Sequence, residues 1–211
     1  MSMQRKSGLP YGLHERVIKA TLAWLERSHT QAPEPEEVAE ILGEPRDAVQ
    51  RLFPDSTSLL VAAAEQALVI LIDNCARAVV LVDAKDPVAQ FSALADAYLA
   101  WADSYSAQFR LLTDSRLLHS LDHPSLNRYL NSMDALMVQM LTRAQKNGQL
   151  HPKENIPLLV TSARCFAYGL ACMLVDGRMK DLSGCEGDPV ETARMLSRDF
   201  IQRIRRSSRI T

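Results

Sequence analysis

Arg46, Asp47, Gln50 and Arg51 lie within six residues of one another, and Arg5 and Lys6 stand together near the start of the chain. Arg pairs through two hydrogen bonds with guanine and Gln with adenine, so the first group has side chains that can read base edges. Arg5 and Lys6 form a basic arm of the kind that enters a minor groove. A second group is apolar. Met133, Met137 and Met140 recur at helical spacing, and Tyr98, Trp101, Tyr105 and Phe109 gather on the preceding stretch. Such residues either fill a core or line an apolar cavity with a few directional polar groups.

Other reactive types carry less. His119 and His123 are four apart, but Pro124 follows directly and no third ligand stands nearby, so two solvent histidines and no metal are expected. The four cysteines, at 75, 165, 172 and 185, form no C-x-x-C pair and are read as reduced thiols of a cytoplasmic protein, Cys165 and Cys172 as small buried hydrophobes. No G-x-S-x-G elbow, phosphate-binding glycine loop or H-E-x-x-H occurs, so neither an enzyme nor a cofactor is expected. The longest apolar run, Leu68 to Ile72, is far short of a membrane span, and no membrane partner is expected.

The chain has 211 residues, 47% of them apolar, with 24 Lys+Arg against 25 Asp+Glu. That is the composition of a folded protein with a well-buried core. Apolar residues recur at helical spacing almost throughout and no sustained alternation suggests a sheet, which predicts an all-α fold. The first helix should start near Tyr11 and end in the polar stretch from Ser28. Short helices follow over Glu36 to Leu42 and Arg46 to Phe53, with Ile41 and Leu52 inward, and a long one from Asp55 or Ser56 to about Val82. Further helices are expected near 87 to 105, 106 to 120, 124 to 147, 155 to 177 and 188 to 206. Pro35, Gly43, Pro45, Pro87, Pro124 and Gly148 punctuate them.

Two short helices joined by Gly43-Glu44-Pro45 make a helix-turn-helix, the module that lays its second helix in the major groove. Here the sequence resembles the TetR family of bacterial regulators, from Arg16 to Ala39 without a gap and on through Ile41-Leu42-Gly43, Ala48-Val49, Phe53-Pro54 and Leu59-Leu60. Tyr98-Leu-Ala-Trp101, Phe109-Arg110, Tyr168-Gly169-Leu170 and Asp176-Gly177 look like one variety of the family's effector domain. The resemblance implies a helix-turn-helix domain over 1–60 and a helical effector-binding and dimerisation domain over 61–211. It implies a repressor that binds a palindromic double-stranded operator and is released by an apolar small molecule.

Its DNA contacts would be Arg5, Lys6, Arg46, Asp47, Gln50, Arg51 and Ser56. Its ligand would meet Tyr98, Trp101, Tyr105, Phe109, Met133, Met137, Phe166 and Met173. A homodimer would form through the last two helices, with Ala163, Ala167 and Ala171 allowing close approach and Leu170, Leu174, Leu196, Phe200 and Ile204 completing an apolar patch. The alternative for those helices is packing within the chain.

Several polar positions of the family pattern differ here. Glu34 opens the second helix where the family has Ser or Thr, Gln50 replaces a Tyr and Ser56 a Lys. Residues 1–60 hold seven Lys+Arg against nine Asp+Glu, whereas residues 194–211 hold six against one. Phosphate contacts supply most affinity for DNA. An alternative is therefore a protein of the same fold that serves as a ligand or lipid carrier, or an adaptor, without specific DNA binding.

Overall fold

The computed structural model describes residues 12–28, 32–114, 123–182 and 187–207. Its regular elements are helical throughout those residues: α1 (Leu13–Ser28), α2 (Pro35–Leu42), α3 (Arg46–Leu52), α4 (Ser56–Val80), α5 (Pro87–Ser104), α6 (Ser106–Thr113), α7 (Pro124–Lys146), α8 (Ile156–Val175) and α9 (Pro189–Ser207), with a 3-10 turn at Met179–Asp181 before α9.

Local chemistry sets the ends. Gly43 closes α2 at φ 64°, a left-handed conformation that an L side chain rarely takes. Asp55, not Ser56, caps α4: its carboxylate accepts the Ser58 N–H at 2.7 Å. Asp86 caps α5 in the same way through Ala89 N–H at 3.0 Å, with Pro87 in the first turn. Helix α6 stops at Thr113, short of the expected 120. The Thr113 hydroxyl donates back to the Phe109 carbonyl at 2.8 Å and the next residue is extended.

Packing puts two helices at the centre. Helix α4 touches α1, α5, α6 and α7, and α5 touches α4, α6, α7, α8 and α9. Leu59, Leu60, Ala63, Ala64, Ala67 and Leu68 bury one side of α4, while Leu99, Trp101 and Ala102 are enclosed on α5. Helix α1 also packs on α6, so the first three helices meet the rest of the chain through both α4 and α6.

Two helices are long and apolar enough to cross a membrane by length and composition, contrary to the expectation from the longest apolar run. These are α4 and α8, each with mean hydropathy 1.7 over an 18-residue window. Their burial differs: 44% of that window is buried in α4 and only 28% in α8. A core helix should be covered, so α8 carries apolar surface that the described residues leave open.

Candidate functional site

The helix-turn-helix is built from few buried anchors. Val38, Ala39, Val49 and Phe53 are sealed where α2 and α3 pack on each other and on α1, and two-turn helices can bury little more. Ile41 and Leu52, expected inward, are 47% and 44% exposed for that reason. Arg16 of α1 reaches the turn, its Nη1 lying 2.6 Å from Glu44 Oε1 with both side chains about a quarter exposed. The turn is therefore held by an ion pair as well as by the Glu44 N–H to Ala39 carbonyl bond at 3.0 Å.

Arg46, Asp47, Gln50 and Arg51 all stand exposed on α3. Arg51 Nε donates to the Asp47 carbonyl at 3.0 Å, while Arg46 and Gln50 make no hydrogen bond or ion pair among the described residues. Ser56 does not join this set. It is half-buried, and its hydroxyl is enclosed without a partner among the described residues. Glu34 is exposed at the start of α2, where its N–H donates to the Glu37 carboxylate at 2.8 Å. Arg5 and Lys6 lie outside the described residues.

A cavity of about 610 Å³ lies among α4, α5, α6, α7, α8 and α9. Of the eight residues named as effector contacts, Tyr98, Trp101, Phe109, Met133, Met137 and Phe166 line it. Tyr105 and Met173 do not. Tyr105 is the non-helical residue between α5 and α6, and both side chains pack against the core elsewhere.

The rings form a connected wall: Tyr98 stacks on Trp101 with centroids 6.2 Å apart, and Phe109 meets both edge-on at 6.5 and 6.3 Å. Tyr168 continues it at 6.2 Å from Phe109, and Phe166 stacks on Phe200 at 4.7 Å. Trp101 Nε1 is buried without an acceptor among the described residues, an unmet donor in this wall.

The cavity's polar residues were not foreseen. Asp134 of α7 accepts two contacts from Arg164 Nη1 of α8, at 2.7 and 2.9 Å, and Thr113, Tyr168 and Ser197 also line the space. Burial pushes the Tyr98 hydroxyl well above its ordinary pKa. Tyr168 shifts the same way, chiefly through its hydrogen bond with Cys172. The visible signal was Asp134 beside the Met133–Met137 stripe, but its pairing with a residue 30 positions away was not.

The last two helices present a different face from the one expected. Ala163, Leu170, Ala171 and Leu174 are buried within their own chain, against the neighbouring helices, and cannot form a free surface. Ala167, Leu196, Phe200 and Ile204 are half-buried. What stands outward is Leu158 (62% exposed), Met195 (55%), Tyr168 (45%) and Gly169. Cys165 is also exposed and Cys172 half-buried, so of the three described cysteines only Cys75 is a core residue. Among the described residues no group of three or more His, Cys, Asp or Glu gathers in a way that could hold a metal. His119 and Cys185 lie outside the described residues.

Residues 91–200 match the family described as tetracyclin repressor-like, C-terminal domain. No curated protein matches the chain in sequence. Solved structures share the fold over nearly the whole chain. A protein of unknown function from Rhodococcus sp. RHA1 is 20% identical with a TM-score of 0.75, over 95% of this chain and 99% of that one. The fatty acid degradation regulator of Bacillus halodurans is 13% identical (TM-score 0.71, 93% and 97% covered). A ketosteroid transcriptional regulator of Mycobacterium tuberculosis is 14% identical (TM-score 0.66, 96% and 98% covered). With a matching stretch that spans more than half of its length, the chain belongs to the tetracyclin repressor-like (TetR) family of transcriptional regulators.

Proposed function

We propose that this regulator is a cytoplasmic, non-enzymatic homodimeric repressor that binds a palindromic operator and is released by an apolar small molecule. Residues 1–60 act as the reading head and 61–211 as the effector and dimerisation domain. Arg46, Gln50 and Arg51 supply base and phosphate contacts from α3, and Arg5 and Lys6 supply the arm. The outward face of α8 and α9, centred on Leu158, Gly169 and Met195, packs against its copy; such an isologous contact suits a palindromic site.

The observation that carries the reading is the position of the cavity. Two of its walls, α4 and α6, are the helices on which α1 rests. A ligand that favours one arrangement of Leu68, Leu71, Phe109 and Leu112 thereby biases the placement of the reading head, and differential affinity for the two arrangements is all that release requires. Two structures of the same fold belong to regulators named for fatty acid degradation and for ketosteroids, which agrees with a hydrophobic effector.

Selection of bound fragments from a random duplex pool tests this. Enrichment of an inverted repeat is expected, and the absence of site preference over random DNA at low salt overturns the reading. A second reading, a carrier or adaptor without an operator, draws support from the two-charge acidic excess of residues 1–60. Replacing Arg46 and Arg51 by Ala separates them, because a carrier's ligand affinity and cellular role are untouched by that change.

A further inference from the structure

We propose that the cavity selects a neutral, ring-based apolar molecule bearing a hydrogen-bond acceptor, and discriminates against carboxylates such as fatty acids. The inference rests on the reading above, that this cavity holds the effector. It follows from how the polar groups of the wall are already committed.

Among the described residues that line it, Arg164 is the sole Lys, Arg or His and Asp134 the sole Asp or Glu. A carboxylate ligand would need that arginine. Its Nη1 is held by both Asp134 oxygens, at 2.7 and 2.9 Å, so the pair is neutral as a unit. The pair is about half exposed and only Nη1 of Arg164 is engaged, so an entering anion would leave water for an apolar wall whose one cation among the described residues already has a carboxylate partner.

A neutral acceptor meets the opposite situation. Tyr98 lines the cavity and its hydroxyl has no acceptor among the described residues, and beside it Trp101 Nε1 is buried and unpaired among them. A tyrosine hydroxyl is protonated at neutral pH, and burial shifts it further in that direction, so it is a donor there. A carbonyl or ether oxygen placed there gains a hydrogen bond without bringing a charge into an apolar space.

Shape points the same way. The Tyr98, Trp101, Phe109 and Tyr168 rings make one continuous wall, with neighbouring centroids 6.2 to 6.5 Å apart. Aromatic faces and edges of this kind favour flat rings through offset and edge-on contacts. Met133 and Met137 complete the lining with side chains that adapt to the outline of a rigid guest.

The test uses the full chain and three probes: 9-fluorenone, fluorene and hexadecanoate, each measured by displacement of Nile red and by calorimetry. Fluorenone and fluorene differ by one carbonyl. Fluorenone should bind wild type about 3–10-fold more tightly than fluorene, the range for one neutral hydrogen bond. Tyr98→Phe should bring that ratio to about one.

Hexadecanoate has the larger apolar surface, yet should bind more weakly than fluorenone. Asp134→Asn frees Arg164 and should raise hexadecanoate affinity about 10-fold without moving fluorenone by more than about twofold. Equal affinity for fluorenone and fluorene in wild type, or hexadecanoate binding as tightly as fluorenone, overturns the proposal and leaves the effector reading standing. If neither Nile red nor any probe binds, the effector reading fails with it. Because the first comparison is made in wild type, misfolding of either variant does not shield the proposal.

Discussion

Gly169 sits in the interior of α8, exposed, and a Cβ built on it would meet nothing within 4 Å. Glycine inside a helix costs about 1 kcal/mol relative to alanine, and nothing among the described residues repays that cost. A partner helix crossing at this point would, since the missing side chain permits a close approach. Gly169→Ala therefore has opposite signs under the two arrangements. On a bare surface it stabilises α8 by about 1 kcal/mol, which raises Tm by about 2–4 °C in a chain of this size.

Across a two-fold contact each added methyl meets the other subunit, and overpacking costs about 1–3 kcal/mol per site. Two symmetric sites make about 2–6 kcal/mol, or a rise in the dimer Kd of about 30- to 10⁴-fold. Sedimentation velocity over a dilution series reads the Kd directly, and melts at two concentrations read the linkage between folding and assembly. Weaker association with no gain in Tm is expected. A variant that melts 2–4 °C higher with association unchanged refutes the placement of the interface on this face.

Arg46→Ala and Arg51→Ala should each weaken operator binding at least 10-fold, and each lost phosphate contact should flatten the log–log salt slope by about 0.9, as followed by anisotropy between 50 and 200 mM salt. Burial pushes the Cys75 thiol up from 9.0 to about 12. Because the folded value is the higher one, its contribution to stability is complete below about pH 9 and is lost as pH rises towards 12, at up to about 1.4 kcal/mol per pH unit; urea melts should show that alkaline limb flattened in Cys75→Ala. The Ala89 N–H, with the Gln149 amide and Arg205, holds the Asp86 carboxyl below its ordinary 3.8 against the opposing effect of burial. That stabilisation is present above about pH 4 and fades as pH falls through the lowered folded value. Asp86→Ala should thus lower Tm by about 2–4 °C at pH 7, through loss of a cap of about 1 kcal/mol, with the gap from wild type narrowing in acid.

The helix boundaries were legible because proline, glycine and Asx punctuation acts locally. Pro35, Gly43, Asp55, Pro87 and Pro124 each mark an end within a residue or two of where the chain places it. The inward side of α8 was not legible. That helix is apolar nearly all round, so its periodicity could not say which residues meet the core. The small residues Ala163 and Ala171, which suggested an open interface, allow α8 to approach its own neighbours, and the larger Leu158 faces outward. The Arg164–Asp134 pair was hidden for a related reason: it exists only once α7 and α8 are packed side by side. The aromatic wall was readable because Tyr98, Trp101 and Phe109 fall at helical spacings on two consecutive helices.

Charge on the reading head also changes meaning once the side chains are placed. Residues 1–60 carry a net charge of −2, which counts against a polyanionic partner if all those charges act at the same surface. They do not. Glu44 pairs with Arg16, which removes one charge of each sign and leaves the total unchanged, while Glu37 and Asp55 keep their charges at the starts of α2 and α4, where they accept the Glu34 and Ser58 N–H. These carboxylates meet partners needed for folding whether or not DNA is present. On the exposed face of α3, Arg46 and Arg51 stand against Asp47 alone, so the surface offered to a groove is locally positive by one charge. An excess that small gives little nonspecific attraction, because counterion release scales with the number of phosphates neutralised. Discrimination must then come from the fit of α3 to particular base edges. Random duplex should accordingly bind weakly, with a shallow salt slope, while the true operator stands well above it; a steep, sequence-independent salt slope would show that the arginines act as a bulk charge and not as readers.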